Sequence, residues 1–261
     1  MKHHDVAVER FIARAKQDTE VLAVVVSGSV ARGDERPDSD IDLYVVVTER
    51  CWAAAFDAQR LMYVDRDDVG YPGGYFDIKL ATLSYLDDAA ERGDDPVRDS
   101  FAHSKIAFSL VPDLQDRIAR VAEIPDGRWL EAMASHVAQA RLHGGYFLVQ
   151  GIERDDPMLT AHAAIHLATS ASRAMLALNR VPFAGPKYLL STVADLADKP
   201  EGFDEAVSEL VVRPSVAAGK RVLDMLEGAA DWPLESDGTL SRFILDNELA
   251  WRYRTLPPEY R

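Results

Sequence analysis

Two aspartates stand two residues apart where a polar loop gives way to an apolar run. Asp40 and Asp42 flank Ile41, and the run continues through Leu43 to residue 47. Because strand side chains alternate between the two faces, Asp40 and Asp42 share one face, and Ile41 and Leu43 share the other. Neighbouring carboxylates resist ionising together unless a cation lies between them. The pair therefore predicts a divalent metal site with oxygen ligands, for which Mg2+ is the expected ion.

A glycine and a hydroxyl group precede the acids. Residues 21–26 form an apolar run that is predicted to be a short buried strand. Gly28 and Ser29 follow this run after one residue. Glycine lets the backbone approach a ligand closely, and a hydroxyl beside free N–H groups at the start of a helical turn suits phosphate oxygens. The spacing from Gly28 to Gly33 is that of the first part of a P-loop. Acidic residues follow where that motif needs Lys and Ser or Thr, which excludes a P-loop.

Together these residues resemble the active-site motif of the DNA polymerase beta-like nucleotidyltransferases. In that family Gly-Ser is followed, after about ten residues, by two aspartates that alternate with hydrophobic residues. This sequence has Gly28-Ser29 and then Asp40-Ile41-Asp42-Leu43. Arg32-Gly33 and Ser39-Asp40 also match the small-molecule branch, which includes the aminoglycoside and kanamycin nucleotidyltransferases. The resemblance is sharp over residues 21–80 and architectural beyond them.

The resemblance implies transfer of a nucleoside monophosphate to a hydroxyl group, with release of pyrophosphate. ATP is the expected donor, although another nucleoside triphosphate is possible, and two Mg2+ ions are the expected cofactors. A third acid on a neighbouring strand completes the family's metal site, and Asp77 lies in a suitable alternating run, residues 75–83. Asp77 is also a candidate for the general base, as is a separate acid such as Glu91 or Asp95. Catalysis and metal binding are therefore assigned to Asp40, Asp42 and Asp77.

The expected nucleotide contacts come from several segments. Lys79 shares a strand face with Asp77, where it either contacts the triphosphate or balances the acids. Related two-domain enzymes often supply a lysine from a second domain, and Lys187 lies in a suitable loop, residues 179–188, interrupted by two prolines and a glycine. The predicted nucleotide-binding residues are Gly28, Ser29, Arg32, Ser39, Lys79 and Lys187.

The two halves of the chain differ in pattern. Short apolar strands alternate with helices before residue 112, whereas residues 113–261 are helical, with long periodic segments at 128–153 and 157–178. The predicted fold class is α+β. Residues 1–112 form a nucleotidyltransferase domain with a short mixed sheet flanked by helices, and residues 113–261 form a helical bundle. The short link between the long segments predicts an antiparallel helix pair.

Four histidines of the helical half require an interpretation. His162 and His166 have the four-residue spacing of metal ligands on a helix, but Ala163 replaces the glutamate of the metalloprotease pattern. Packing within the bundle is the favoured interpretation for this pair. No role is assigned to His136 or His143.

The composition of the chain limits the classes of substrate and ligand that are expected. The formal charge is −14 and the isoelectric point about 4.9, which argues against long nucleic acid as substrate and favours small, cationic acceptors. The single cysteine, Cys51, excludes an internal disulfide and a thiolate metal site. No signal-peptide core or membrane-length apolar run is present, so a cytoplasmic protein without membrane partners is expected. The expected oligomeric state is a monomer or a homodimer.

Two other functions compete with small-molecule modification. The first is a protein adenylyltransferase of the antitoxin type, and the second is a non-catalytic nucleotide-binding module. Antitoxin-type relatives are usually minimal domains, so the additional helical half favours a small acceptor. The complete set of three acids argues against a non-catalytic module, because a degenerate site would usually have lost a carboxylate.

Overall fold

The computed structural model describes residues 1–260, and the chain divides into two compact units, Met1–Glu123 and a second unit that begins at Ile124. The first unit contains a five-stranded sheet. Its strands are β1 (Val21–Ser27), β2 (Ile41–Val47), β3 (Met62–Asp65), β4 (Phe76–Ala81) and β5 (Lys105–Ser109), and their order in the sheet is β3-β4-β2-β1-β5. Strands β2 and β4 are parallel, and the other neighbours are antiparallel. The sheet is therefore mixed, as predicted.

Helices cover both faces of this sheet. The helices are α1 (Lys2–Ala15), α2 (Gly28–Arg32), α3 (Glu49–Asp57), α4 (Leu83–Arg92), α5 (Asp95–Ala102) and α6 (Leu114–Ala122). On one face, Phe11 of α1 packs with Ile41, Leu43 and Ile78. The opposite face packs against α4, α5 and α6 and includes Tyr44. Because α6 packs on α4 and α5, it belongs to the first unit, although it follows the boundary predicted at residue 112.

The second unit is helical. Its longest helix, α9, is buried over most of its circumference and packs along α7, because its sequence is rich in alanine and leucine. Asp156 accepts hydrogen bonds from the first backbone N–H groups of α9, and Pro157 occupies the first helical position. The helices are α7 (Asp126–Leu142), α8 (Leu148–Glu153), α9 (Pro157–Leu178), α10 (Leu189–Ala194), α11 (Phe203–Val212), α12 (Val216–Glu227), α13 (Thr239–Asp246) and α14 (Ala250–Tyr253).

Three short segments complete the second unit. A π-helical turn, His143–Phe147, joins α7 to α8, so the long helix predicted at 128–153 is one helical path with a widened turn. Single 3-10 turns lie at Ser236–Gly238 and Pro258–Tyr260. The α+β class with a helical second half is confirmed. No helix in residues 1–260 is long and apolar enough to cross a membrane.

Candidate active site

The turn from β1 into α2 brings the backbone against Asp42. Gly28 is the first residue of α2 and has a φ of +65°, which favours glycine. Ser27 is the strand partner of Asp42, so the turn begins directly beside this carboxylate. A Cβ on Gly28 would overlap the Asp42 carboxylate. Glycine is therefore required here by both the backbone conformation and the close approach.

The parallel pairing of β2 and β4 aligns two of the predicted acids. Asp42 is the register partner of Asp77, and Tyr44 is the partner of Lys79. Partners on neighbouring strands lie about 4.8 Å apart and project their side chains to the same face. Asp42 and Asp77 are thus brought together on the face that carries α4, α5 and α6. Asp40, immediately before β2, acts electrostatically on both carboxyl groups.

The local electrostatics oppose ionisation of the paired acids. Burial raises the pKa of Asp42, and the neighbouring charge of Asp40 raises it further. Burial and the Asp40 charge also raise the pKa of Asp77. The Lys79 ammonium acts in the opposite direction and lowers the pKa of both groups. A lysine already balances part of the negative charge, and the remaining repulsion favours a bound cation.

The donor set fits a hard cation. All three side chains offer oxygen, and Oδ1 of Asp77 is buried with no hydrogen-bond partner among the described residues. An unpartnered buried carboxylate oxygen is costly, and coordination of Mg2+ would satisfy it. The three carboxylates are not among the groups of described residues whose ligand atoms all lie within 4.8 Å of one another. Their side chains must therefore rotate to gather around one ion.

Two tyrosines beside the site were not predicted from the sequence. Tyr75 hydrogen-bonds to Asp40, and this bond raises the pKa of the Tyr75 hydroxyl. Tyr71 donates to the Ser39 carbonyl oxygen at 2.7 Å, and burial raises its pKa to about 12. The Ser39 hydroxyl accepts from the Arg36 backbone N–H at 2.9 Å, within the loop. These contacts fix the loop that carries Asp40, and the predicted contact of Ser39 with a nucleotide remains a prediction.

The cationic residues occupy different surroundings. Arg32 Nε donates to Asp34 at 3.2 Å, and the Arg32 charge lowers the pKa of Asp42. The Lys79 ammonium lies 5.7 Å from the centroid of the Tyr44 ring. Lys187 belongs to the second unit, where its ammonium lies 5.2 Å from the centroid of the Tyr188 ring.

The acidic residues that follow the third predicted strand lie on two different helices. Glu91 is exposed on α4, and Asp95 is the first residue of α5. The sequence analysis assigned no role to Asp99 of α5. The Arg32 charge acts electrostatically on this carboxyl group. Burial raises the pKa of Asp99. The sequence offers no signal for Asp99, because it lies in a strongly acidic segment.

Comparison with known proteins finds a family model that matches part of the first unit. Residues 9–81 match the family described as Polymerase beta, Nucleotidyltransferase. No curated protein matches the chain. The solved structure of a nucleotidyltransferase-like protein from Exiguobacterium sibiricum 255-15 aligns with 95% of this chain and 78% of its own, at 10% sequence identity and a TM-score of 0.47. The matched segment contains Gly28, Asp40, Asp42 and Asp77, and it supports a polymerase beta-like nucleotidyltransferase domain in the first unit.

Proposed function

We propose that this protein is a Mg2+-dependent nucleotidyltransferase that moves a nucleoside monophosphate, AMP from ATP in the first instance, to a hydroxyl group of a small molecule. The observation that carries the proposal is the alignment of Asp42 with Asp77 beside Gly28, within the segment that matches the nucleotidyltransferase family. Nucleotidyl transfer needs positioning and charge neutralisation more than covalent catalysis, which suits a site made of carboxylates and a close backbone turn.

The acids have separate roles in the proposed reaction. Asp40, Asp42 and Asp77 would together hold the Mg2+ ions, with Asp77 assigned to the ion that activates the acceptor. Bound Mg2+ supplies activation of the acceptor oxygen and neutralises charge on the pyrophosphate that leaves. Asp77, whose buried Oδ1 lacks a partner among the described residues, is the first candidate to take the acceptor proton. Glu91 and Asp95 remain the alternative bases.

The phosphate contacts come from α2 and its surroundings. Gly28 lets the triphosphate approach the backbone, and Ser29 binds its β and γ oxygens. Arg32 and Lys79 contribute positive charge near Asp42, whose pKa both cations lower. Lys187, from the second unit, is proposed to bind the triphosphate as well.

The acceptor is proposed to be a hydroxylated cation of the aminoglycoside type. The net charge of −14 attracts cations and repels the phosphate backbone of long nucleic acids. The separate helical unit supplies additional surface for a small acceptor, as in the two-domain relatives that the sequence resembles.

The test is to incubate the full chain with Mg2+, α-labelled ATP and a panel of aminoglycosides and other hydroxylated small molecules. The expected result is pyrophosphate release together with a labelled acceptor. Asp42→Asn should reduce the rate by about 10²–10³-fold, because a metal ligand contributes several kcal/mol to the transition state.

Asp38→Asn is the matched control, since it removes one negative charge from the same loop at an exposed side chain. It should retain nearly the full rate. Transfer that survives Asp42→Asn would refute the metal assignment. Label on a protein, with none on any small molecule, would favour the protein adenylyltransferase instead.

A further inference from the structure

Three histidines of the second unit converge on one point. His143, in the π-helical turn, and His162 and His166, one turn apart on α9, each offer a nitrogen, and the three nitrogens lie within 4.8 Å of one another. The ring centroids of His143 and His166 are 4.7 Å apart, and those of His162 and His166 are 4.1 Å apart. We propose that His143, His162 and His166 form a binding site for a divalent transition metal, Zn2+ in the first instance.

The arrangement differs from ordinary packing of histidines in its hydrogen bonding. His143 is 5% exposed, and its Nδ1 has no hydrogen-bond partner among the described residues. Buried polar atoms are normally satisfied, so an orphaned imidazole nitrogen requires an explanation. A metal ion bound by the imidazole would remove this cost. π-helical turns are also frequent at functional sites, and this turn carries His143 at its first residue.

Burial disfavours the cationic form of two of the three imidazoles. Burial and the neighbouring imidazoles lower the pKa of His143 to about 3. Burial and His162 also lower the pKa of His166. Both rings are therefore neutral at pH 7, and each has a lone pair to donate.

A carboxylate stands next to the cluster. Oε2 of Glu259 lies 3.6 Å from Nδ1 of His166. Metal-binding histidines commonly donate their second N–H to a carboxylate, which fixes the ring and raises its basicity. We assign Glu259 this positioning role, which leaves Nε2 of His166 for the metal.

The geometry also indicates which metal is suited. Three imidazoles without a thiolate match a zinc site that keeps a fourth position for water, and His162 is exposed to solvent. Zn–N bonds of about 2.0–2.1 Å in a tetrahedron separate the nitrogens by about 3.4 Å. The three nitrogens lie within 4.8 Å of one another, so at most a small adjustment of the rings is needed to reach this separation. Mg2+ prefers oxygen ligands and should not compete for this site.

Space for a further ligand adjoins the cluster. His166 and Glu259 line a cavity of about 160 Å³ that also contains Gln139. Nε2 of Gln139, four residues before His143, is another buried donor without a partner among the described residues. The cavity accordingly offers an unfilled hydrogen-bond donor close to the proposed metal.

The experiment uses the full chain with Asp42→Asn, which disables the proposed Mg2+ site and leaves the histidines intact. Chelator-treated protein is titrated with Co2+ at pH 7.5, and visible absorption follows the coordination of the ion. The expected result is one Co2+ per chain with the intense bands of tetrahedral nitrogen coordination, displaced by one equivalent of Zn2+.

Variants of the exposed cluster member separate this site from adventitious binding. His162→Ala should weaken Co2+ binding by at least about 100-fold, and Glu259→Gln by about 10- to 100-fold. His3→Ala and His103→Ala, at histidines of the first unit, should leave the titration unchanged. Folding of each variant is checked by circular dichroism.

Absence of the absorption bands, or a titration that His162→Ala leaves unchanged, would overturn the proposal. Neither result depends on nucleotidyl transfer, so the proposed function would stand or fall separately.

Discussion

Gly28 leaves no room for a side chain between the first turn of α2 and the Asp42 carboxylate. Replacement by alanine would add a methyl group that overlaps this carboxylate, in a backbone conformation that alanine rarely adopts. Displacing a catalytic group by about 1 Å can cost about 100-fold in rate. We therefore expect Gly28→Ala to lower nucleotidyl transfer by about 100-fold and the free energy of unfolding by about 1–3 kcal/mol.

Gly33 provides the matched control for this substitution. Its φ is +84°, but a Cβ there meets nothing within 4 Å. Gly33→Ala should show a similar loss of stability in urea unfolding while keeping the rate within a few-fold of the unmodified chain. If both variants lost activity equally, backbone strain and not contact with Asp42 would be the cause.

Asp42 is expected to reduce stability when no metal is present. Its pKa is raised by burial and by Asp40, so at neutral pH its charged form is less favourable in the folded than in the unfolded chain. Asp42→Asn should therefore raise Tm in chelator-treated protein, by about 2–4 °C for each 1 kcal/mol of strain removed.

Calorimetry with and without Mg2+ tests this expectation. Added Mg2+ should raise Tm of the unmodified chain and leave Asp42→Asn nearly unchanged, because only the first retains the ligand. Asp38→Asn should behave like the unmodified chain in both buffers, since its carboxylate is exposed. A lower Tm for Asp42→Asn in chelator would contradict the proposed repulsion.

At the scale of elements, one buried arginine ties together the ends of two helices. Arg98 of α5 is 1% exposed and donates to the carbonyl oxygens of Ala90 and Gly93, near the end of α4. It also donates to Val121 and Glu123 at the end of α6, at 2.9 and 2.6 Å. The last carbonyl groups of an α-helix receive no hydrogen bond from within the helix, so a side-chain donor is useful at these two ends. The guanidinium thus ties α5 to the ends of α4 and α6.

We expect Arg98→Met to lower the free energy of unfolding by at least about 3 kcal/mol, because several buried carbonyl groups lose their donor. Arg92→Met is the control, since Arg92 is exposed and pairs only with Asp88 among the ion pairs of residues 1–260. Its effect should stay within about 1 kcal/mol. Denaturant unfolding measures both, and equal effects would show that Arg98 is not a tie between helices.

The sequence predicted elements whose pattern is strong. The alternation around Asp77 predicted both the strand and the face, and the observed register with Asp42 agrees. The short edge strand β3 was missed, because Met62 and Val64 are exposed and a turn-rich segment follows. Helix α5 was missed because its sequence is strongly acidic, although Asp94 caps its first turn.

The histidine cluster shows a different limit. Helical periodicity predicted the helices that carry all three rings, and the four-residue spacing of His162 and His166 was visible in the sequence. Nothing in the periodicity reveals the π-helical turn that begins at His143. The convergence depends on how two helices pack, and that information is distributed over their whole interface.

At the scale of the whole molecule, each compact unit has its own hydrophobic core. The sheet packs with α1 to α6, whereas the second core surrounds α9. The proposed Mg2+ site belongs to the first unit and the proposed Zn2+ site to the second. Sites with no shared residue usually contribute additively to stability, within about 0.5 kcal/mol.

We therefore expect Mg–ATP to stabilise zinc-loaded, dialysed protein by the same amount as zinc-free protein. Saturation at 100 times Kd corresponds to about 2.7 kcal/mol for each ligand, and scanning calorimetry resolves such a change. Asp42→Asn should abolish the Mg–ATP effect and keep the Zn2+ effect, and His162→Ala should do the reverse. If either single variant lost both the Mg–ATP and the Zn2+ stabilisation, the two sites would be energetically coupled, because independent sites respond only to their own ligand.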